Sequence, residues 1–291
     1  MARTANFGDL PEEYSTLNQA QVVILPVPYD ATSTWIKGAD KGPAAIIEAS
    51  THMELYDIET DSQVYRKGIY TAEPVDGEVR PDDMVEAVRE RVEHYIQDGK
   101  FVVVIGGEHS VSIGSVMAHL AKDADITVLQ LDAHSDLRDQ YEGSKYNHAC
   151  VMARIKEHCP IVQVGIRSMD YSETAALDRN RVFFAESIRR DKDWVKKVIS
   201  RLSDRVYITI DIDVFDPSVV PSTGTPEPGG LLWYDILVLL KAVFDDKEVI
   251  GLDVVELCPD ERNKAPDFLA AKLIYKLLSY KFKDSNEIKK S

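Results

Sequence analysis

The chain has 291 residues, 44% of them hydrophobic, so it can bury the core of one large domain or of two ordinary ones. Its formal net charge of -15 argues against a nucleic-acid-binding protein, which needs a basic surface, and would help to attract a cationic substrate. Three cysteines without a CxxC pair, an N-terminus without a signal peptide and no apolar run of membrane-spanning length predict a cytoplasmic protein with no membrane partner.

Short apolar runs alternate with amphipathic segments along the whole chain. Strands are predicted, in chain order, at 22–25, 101–105, 126–131, 161–164, 206–210 and 249–255. Runs that are apolar at every position are typical of a parallel sheet covered on both faces. Helices are predicted at 81–97, 194–202, 234–244 and 266–278. The alternation predicts a single three-layer α/β/α domain over 1–291, with an N-terminal extension at 1–20 and a polar, frayed tail at 281–291.

Three of the predicted strands are followed by short motifs of His and Asp. The candidate metal ligands in these motifs are His109, Asp132, His134, Asp136, Asp211 and Asp213. The period of two between Asp132, His134 and Asp136 would direct all three to one side of an extended backbone. Because ligands bind beyond the carboxyl ends of parallel strands, we expect the motifs to meet at one edge of the sheet. Four carboxylates and two imidazoles, without a thiolate, favour Mn²⁺, with Co²⁺ or Zn²⁺ as substitutes.

These motifs resemble those of the ureohydrolases, the family of arginase and agmatinase. The resemblance extends over nearly the whole chain and is carried by 106–110, 131–136, 211–217, 223–230 and 251–256. It implies an arginase-like fold with a mainly parallel sheet of about eight strands, in a homotrimer or homohexamer. It also implies two Mn²⁺ ions per chain, one held by His109, Asp132, Asp136 and Asp211, the other by Asp132, His134, Asp211 and Asp213. The implied reaction is hydrolysis of a guanidino group to urea and an amine.

Three side chains are candidates for catalytic roles. Hydroxide held between two metals is a strong nucleophile at neutral pH, and Asp136 is expected to accept a hydrogen bond from it and pass its proton on. Glu256 follows the last predicted strand and matches the family's glutamate that binds the guanidinium by a bidentate contact. His148 matches the family's mobile histidine and is expected to contact the substrate and protonate the leaving amine. Asp253 is a candidate to support a metal-bound histidine, with a turn cap as the alternative.

The sequence restricts the tail of the substrate less tightly. Segment 137–147 lacks the Asn-containing pattern of arginases and, like 165–168, resembles agmatinase. Asp170 lies where arginases have an Asp that recognises an amino group, and is a candidate substrate-binding residue. We therefore expect a small cationic substrate, agmatine, which gives putrescine and urea. N1-aminopropylagmatine, guanidinobutyrate and arginine stay open as alternatives; the carboxylate of guanidinobutyrate would need a cation opposite it, for which Arg138, Lys145 and Arg154 are candidates.

Two hypotheses from other classes remain open at this point. A deacetylase-like amidohydrolase has a similar broad fold but uses a single Zn²⁺, and would not need His109 or Asp136 as ligands. An inactive homologue acting as a binding subunit would usually have lost a metal ligand, whereas all six candidates are present here. A count of metals per chain separates the first alternative from the ureohydrolase hypothesis, and a urea assay separates the second.

Overall fold

The protein is described by a computed structural model that covers residues 6–75, 77 and 80–283. Part of the predicted N-terminal extension, 1–5, and most of the predicted tail, 284–291, lie outside the described residues. Among the described residues, no helix is long and apolar enough to cross a bilayer. All eight strands of this part of the chain form one sheet, in which every neighbouring pair is parallel.

The strands confirm the predicted fold class and add two short strands at the edges. Their bounds are β1 (Val22–Val27), β2 (Ile69–Thr71), β3 (Phe101–Gly106), β4 (Ile126–Leu131), β5 (Ile161–Ile166), β6 (Val182–Phe184), β7 (Arg205–Asp211) and β8 (Glu248–Val255). The order across the sheet is β2-β1-β3-β8-β7-β4-β5-β6. Each of β1, β3, β4 and β5 is buried along its whole length, because helices cover both faces of the sheet.

Helices of the described residues form a layer on each side of this sheet. Their bounds are α1 (Glu12–Ser15), α2 (Gly42–Ser50), α3 (Pro81–Gln97), α4 (Val111–Lys122), α5 (Val151–Lys156), α6 (Ala185–Ile188), α7 (Trp194–Ile199), α8 (Trp233–Asp246) and α9 (Ala265–Lys281). The apolar side chains of α3, α4 and α5 share one core cluster with the sheet, and those of α2, α7, α8 and α9 share the other. The predicted bounds of α3 are confirmed, and those of α8 and α9 are confirmed to within three residues.

Helix α7 is shorter than the sequence predicts, since it ends at Ile199 rather than at residue 202. The backbone amides of Arg201 and Leu202 bond to carbonyls three residues earlier, at Val198 and Ile199. Such bonds tighten the last turn and end the helix, so the chain can enter β7. The amphipathic pattern alone does not show this change, because Leu202 still packs into the core.

The strand order brings the predicted motifs to adjacent positions. Strands β3, β8, β7 and β4 are consecutive neighbours in the sheet. The carboxyl ends of these four strands precede the histidines, aspartates and Glu256 singled out in the sequence. A crevice at the carboxyl edge of a parallel sheet is the usual ligand-binding position in such folds. The expectation that the motifs meet at one edge is therefore confirmed.

Candidate metal centre and catalytic cleft

The loops after β1, β3 and β8 converge through backbone contacts that require a glycine. Glu108 N donates to Tyr29 O at 2.8 Å, and Glu256 N donates to Gly107 O at 2.7 Å. A Cβ atom at Gly107 would lie 2.0 Å from the Tyr29 carbonyl oxygen, so only glycine lets the two loops approach this closely. Glu256 and Asp136 adopt positive φ angles of 66° and 52°, which non-glycine residues rarely adopt outside sites where the surroundings enforce them.

One cluster of potential ligands surrounds His109. Its Nδ1 atom lies 3.2 Å from Asp132 Oδ2, 3.0 Å from Asp136 Oδ2 and 3.5 Å from Asp211 Oδ2. The side chain is buried, and Nδ1 makes no hydrogen bond of acceptable geometry with the described residues. A ring nitrogen without a hydrogen bond, facing three carboxylate oxygens, has the donor set of a site for a divalent cation.

A second cluster lies next to the first and shares Asp132 with it. His134 Nδ1 is 2.9 Å from Asp213 Oδ2 and 3.7 Å from Asp132 Oδ1. The ligand atoms of these three side chains all lie within 4.8 Å of one another, as do those of His109, Asp132 and Asp211 in the first cluster. Asp132 therefore uses one oxygen for each cluster.

The electrostatics of the clusters also fit bound cations. Burial raises the pKa of Asp211, and the nearby Asp213 and Asp132 carboxylates raise it further. Burial and the Asp132 carboxylate together raise the pKa of Asp136 to about 7. Carboxylates this close repel one another when ionised, and a divalent cation between them removes that repulsion. The side chains thus fit the two divalent metal ions that the sequence predicts.

A second layer of polar side chains orients these ligands. The other ring nitrogen of His109, Nε2, lies 2.9 Å from Thr209 Oγ1, and this hydroxyl donates to Asp253 Oδ1 at 2.6 Å. Gln130 Nε2 donates to Asp132 Oδ2 at 2.7 Å. Asp253 is fully buried on β8 and reaches His109 only through Thr209, so it has the geometry of a supporting group rather than of a turn cap.

Glu256 is the first residue after β8 and lies beside the first cluster. Its Oε1 atom accepts a hydrogen bond from His109 N at 2.7 Å, which fixes one oxygen of the carboxylate. Burial, together with the Glu108 carboxylate, raises the pKa of Glu256 well above its usual value. A buried carboxylate beside a cleft, with one oxygen already held, is a strong attractor for a bound cation.

His148 lies in the same cleft, with its ring about one-fifth exposed. Burial lowers its pKa to about 4, and Glu108 Oε2 lies 3.9 Å from its Nδ1 atom. The Thr32 hydroxyl contacts both the ring and the backbone of His148, at 3.2 Å from Nδ1 and 3.0 Å from N. Sequence reasoning missed Thr32, because it lies in a loop 116 positions away from His148 and belongs to no recognisable motif.

Asp170 lies at the rim of this cleft of about 310 Å³, beside the ion pairs of Arg138. Its carboxylate accepts a hydrogen bond from Ser172 N at 3.0 Å and caps the short helical turn 171–175. Arg138 lies 3.7 Å from Asp170 and 3.5 Å from Glu173, which is buried and also lines the cleft. Asp170 thus lines the cleft, but its carboxylate already contacts Ser172 and Arg138. Its predicted role in substrate binding stays a prediction.

A parallel α/β fold that carries two His/Asp clusters sharing a carboxylate defines a candidate binuclear metalloenzyme. The sequence model of the arginase family matches residues 20–279. The chain is 41% identical to the N(1)-aminopropylagmatine ureohydrolase of Synechocystis sp., with 92% of each chain covered. It is 32% identical to the agmatinase of Pyrococcus horikoshii, over 89% of this chain and 91% of that relative. The crystal structure of the agmatine ureohydrolase of Thermoplasma volcanium matches with a TM-score of 0.85 and 30% identity, covering 92% of each chain.

The chain therefore belongs to the arginase family. The resemblance inferred from the motifs is confirmed, and so is the prediction of a ureohydrolase-type enzyme close to agmatinase. The two clusters contain five of the six predicted ligands, and the sixth, Asp136, contacts His109 within the first cluster.

Proposed function

We propose that this protein hydrolyses the guanidino group of a cationic polyamine precursor to urea and an amine. The preferred substrate is N1-aminopropylagmatine, and agmatine is the second candidate. The main support for this reaction is the cleft, in which the buried Glu256 carboxylate adjoins two His/Asp clusters that share Asp132. The sequence motifs favour agmatine, but the identity to an N(1)-aminopropylagmatine ureohydrolase, 41% against 32% for an agmatinase, favours the longer substrate.

The metal-binding part of the proposal assigns all six predicted ligands. One ion would be held by His109, Asp132, Asp136 and Asp211, and the other by Asp132, His134, Asp211 and Asp213. Mn²⁺ suits this set of hard oxygens and imidazoles, with Co²⁺ or Zn²⁺ as substitutes. Two bound divalent ions activate water as a nucleophile at neutral pH, which the resonance-stabilised guanidinium carbon requires. Thr209 and Gln130 hold His109 and Asp132 in position.

Three side chains would carry out the remaining steps. Glu256 would bind the guanidinium through the carboxylate oxygen that His109 N does not occupy, and so place the carbon over the metal clusters. Asp136 would accept a proton from the nucleophile at a carboxylate oxygen. His148, which is neutral at rest because its pKa is lowered, would pass a proton on to the leaving nitrogen, and the proton that Asp136 takes from the attacking water balances this transfer. An alkylamine leaves far more easily once it is protonated.

The rim of the cleft favours an amine rather than a carboxylate at the far end of the substrate. Arg138 is already paired with Asp170 and Glu173, and Arg154 is paired with Asp139 at 2.8 Å. These two cations are therefore committed to protein carboxylates, and the third candidate, Lys145, is not among the residues that line the cleft. All three are poorly placed to bind the carboxylate of guanidinobutyrate. Exposed apolar side chains at the rim, those of Trp35 and Ile36, suit the methylene chain of a polyamine.

The products follow from the substrates. Loss of urea from agmatine leaves putrescine, and loss of urea from N1-aminopropylagmatine leaves spermidine, so either reaction would contribute to polyamine synthesis. A cytoplasmic location and a homotrimeric or homohexameric assembly accompany the proposal as predictions. The single-domain organisation predicted over 1–291 likewise stays a prediction.

The test is a urea-release assay on the Mn²⁺-loaded protein. The panel consists of N1-aminopropylagmatine, agmatine, guanidinobutyrate and arginine, at equal concentrations. The site variants Glu256→Gln and Asp132→Asn are assayed beside the wild type. Glu186→Gln and Asp193→Asn, which make the same changes at exposed carboxylates outside the cleft, are their matched controls. The highest kcat/KM with N1-aminopropylagmatine supports the full proposal, whereas a preference for agmatine keeps the reaction and changes the substrate. No urea from any member, with metals bound, refutes the proposal and directs attention to acylated amines.

A further inference from the structure

Thr32 connects two side chains that no motif in the sequence links. Its backbone N donates to Glu108 Oε1 at 3.0 Å, and its hydroxyl donates to Glu108 Oε2 in a short hydrogen bond. The same hydroxyl oxygen accepts from His148 N at 3.0 Å and lies 3.2 Å from His148 Nδ1. One hydroxyl therefore contacts a carboxylate on one side and both the ring and the backbone of His148 on the other.

This arrangement is part of the buried structure rather than a chance surface contact. Thr32 is 9% exposed and Glu108 is fully buried. The loop that carries Thr32 is held against the loop after β3 because Glu108 N donates to Tyr29 O and Gly107 leaves room for that approach. The contact thus depends on the same backbone packing that forms the metal clusters.

The direction of the hydrogen bonds determines how the ring is used. A threonine hydroxyl has a single proton, and when Glu108 is ionised, the form that hydrogen bonds from both Thr32 N and Thr32 Oγ1 stabilise, this proton is donated to Glu108 Oε2. The oxygen can then only accept, so Nδ1 of a neutral imidazole must carry the ring proton in order to donate to it. With Nδ1 engaged in this way, Nε2 is the nitrogen available to gain a proton and to give it to the leaving amine.

We infer that Thr32 is a positioning residue for the reaction, which acts through His148 by fixing the orientation and the tautomer of its ring. Glu108 in turn orients the Thr32 hydroxyl. The catalytic consequence rests on the proposed ureohydrolase activity, whereas the tautomer of His148 is a property of the protein alone. These two parts have separate readouts.

The kinetic test is a double-mutant cycle with urea release as the signal. Thr32→Val keeps the size of the side chain and removes the hydroxyl, so we expect kcat to fall by about 10- to 100-fold with KM unchanged, a part of the 10²–10⁴ that general acid catalysis supplies. Thr32→Ser restores the hydroxyl and should recover most of kcat. In a His148→Ala background, Thr32→Val should have no further effect, because its action passes through the missing ring. An equal loss in both backgrounds would refute the inference.

The second test is ¹⁵N NMR of protein with ¹⁵N-labelled histidine, loaded with diamagnetic Zn²⁺ in place of Mn²⁺ and with His148→Ala used to assign the signals. The wild type should show His148 protonated at Nδ1, and Thr32→Val should shift the population toward the other tautomer. A wild-type ring protonated at Nε2 overturns the inference even if the kinetics agree. If the protein releases no urea, the proposed function fails, but the tautomer measurement still decides this inference. If Thr32→Val does not fold, Thr32→Ala and the wild-type spectrum decide it.

Discussion

Replacement of Glu256 by Gln separates charge from shape at the proposed guanidinium site. In the wild type, His109 N donates to Glu256 Oε1 at 2.7 Å. The Gln side-chain oxygen can accept the same hydrogen bond, so the backbone after β8 should keep its position. The other oxygen becomes an NH₂ group, which presents donors to a guanidinium that itself has only donors. Hydrogen bonds to charged groups contribute about 1.5–3 kcal/mol, so kcat/KM should fall by about 10- to 150-fold.

The assay is steady-state urea release for Glu256→Gln and for the exposed control Glu186→Gln, with bound metal measured on the same samples. Two metals per chain and an unchanged melting temperature, together with the loss of kcat/KM, would agree with the account. An unchanged kcat/KM would refute the role of Glu256 in substrate binding. Loss of a metal ion in Glu256→Gln would instead show that this carboxylate serves the metal centre.

The remaining predictions concern the metal centre, the proton donor, the core and the loop contact. Asp132→Asn should bind fewer than two metals per chain, as measured by elemental analysis. Asp132 Oδ1 accepts a hydrogen bond from His134 N and Oδ2 accepts one from Gln130 Nε2, so either orientation of the Asn amide would set its NH₂ group against one of these donors. Retention of two ions would contradict the assignment of Asp132 as a shared ligand. His148→Ala should lower kcat by about 10²- to 10⁴-fold with KM little changed, measured by urea release at saturating substrate. Burial lowers the pKa of His119 from 6.5 to about 4, so as the pH drops the unfolded state takes up this proton before the folded state does. The unfolding free energy should therefore fall by roughly 3 kcal/mol between pH 6.5 and pH 4. Chemical denaturation of the wild type and of His119→Gln checks this, and the same pH dependence of stability in both proteins would contradict it. Gly107→Ala places a Cβ atom 2.0 Å from Tyr29 O, so the unfolding free energy should fall by about 1–3 kcal/mol or more in urea denaturation; an unchanged midpoint would show that the two loops can separate without cost.

The central strands and their motifs are predictable from the sequence because two independent signals coincide there. In β3, β4, β7 and β8 a long apolar run ends at a polar motif, and the structure confirms all four strands with small changes in their bounds. The edge strands β2 and β6 have three residues each, too few to show a hydrophobic pattern, and the sequence reasoning named neither of them. Only the family resemblance supplied the expected total of about eight strands.

The arrangement around His148 was not predictable in the same way. Its partner Thr32 is brought close by strand order, which places β1 beside β3, and by the space that Gly107 leaves. No local pattern encodes a contact between residues 116 positions apart. The same holds for the ion pairs that occupy Arg138, since the sequence shows a free cation and only the fold shows its partners at Asp170 and Glu173.

The central claim is that two divalent ions held by the clusters around Asp132 hydrolyse a guanidino group. The most direct measurement is titration of metal-free protein with Mn²⁺, with urea release from N1-aminopropylagmatine and agmatine followed at each step. The account predicts that activity rises until two ions are bound per chain and then stays constant, because the proposed reaction needs both ions to activate the attacking water. Full activity at one ion per chain, or no urea with both clusters filled, would contradict it.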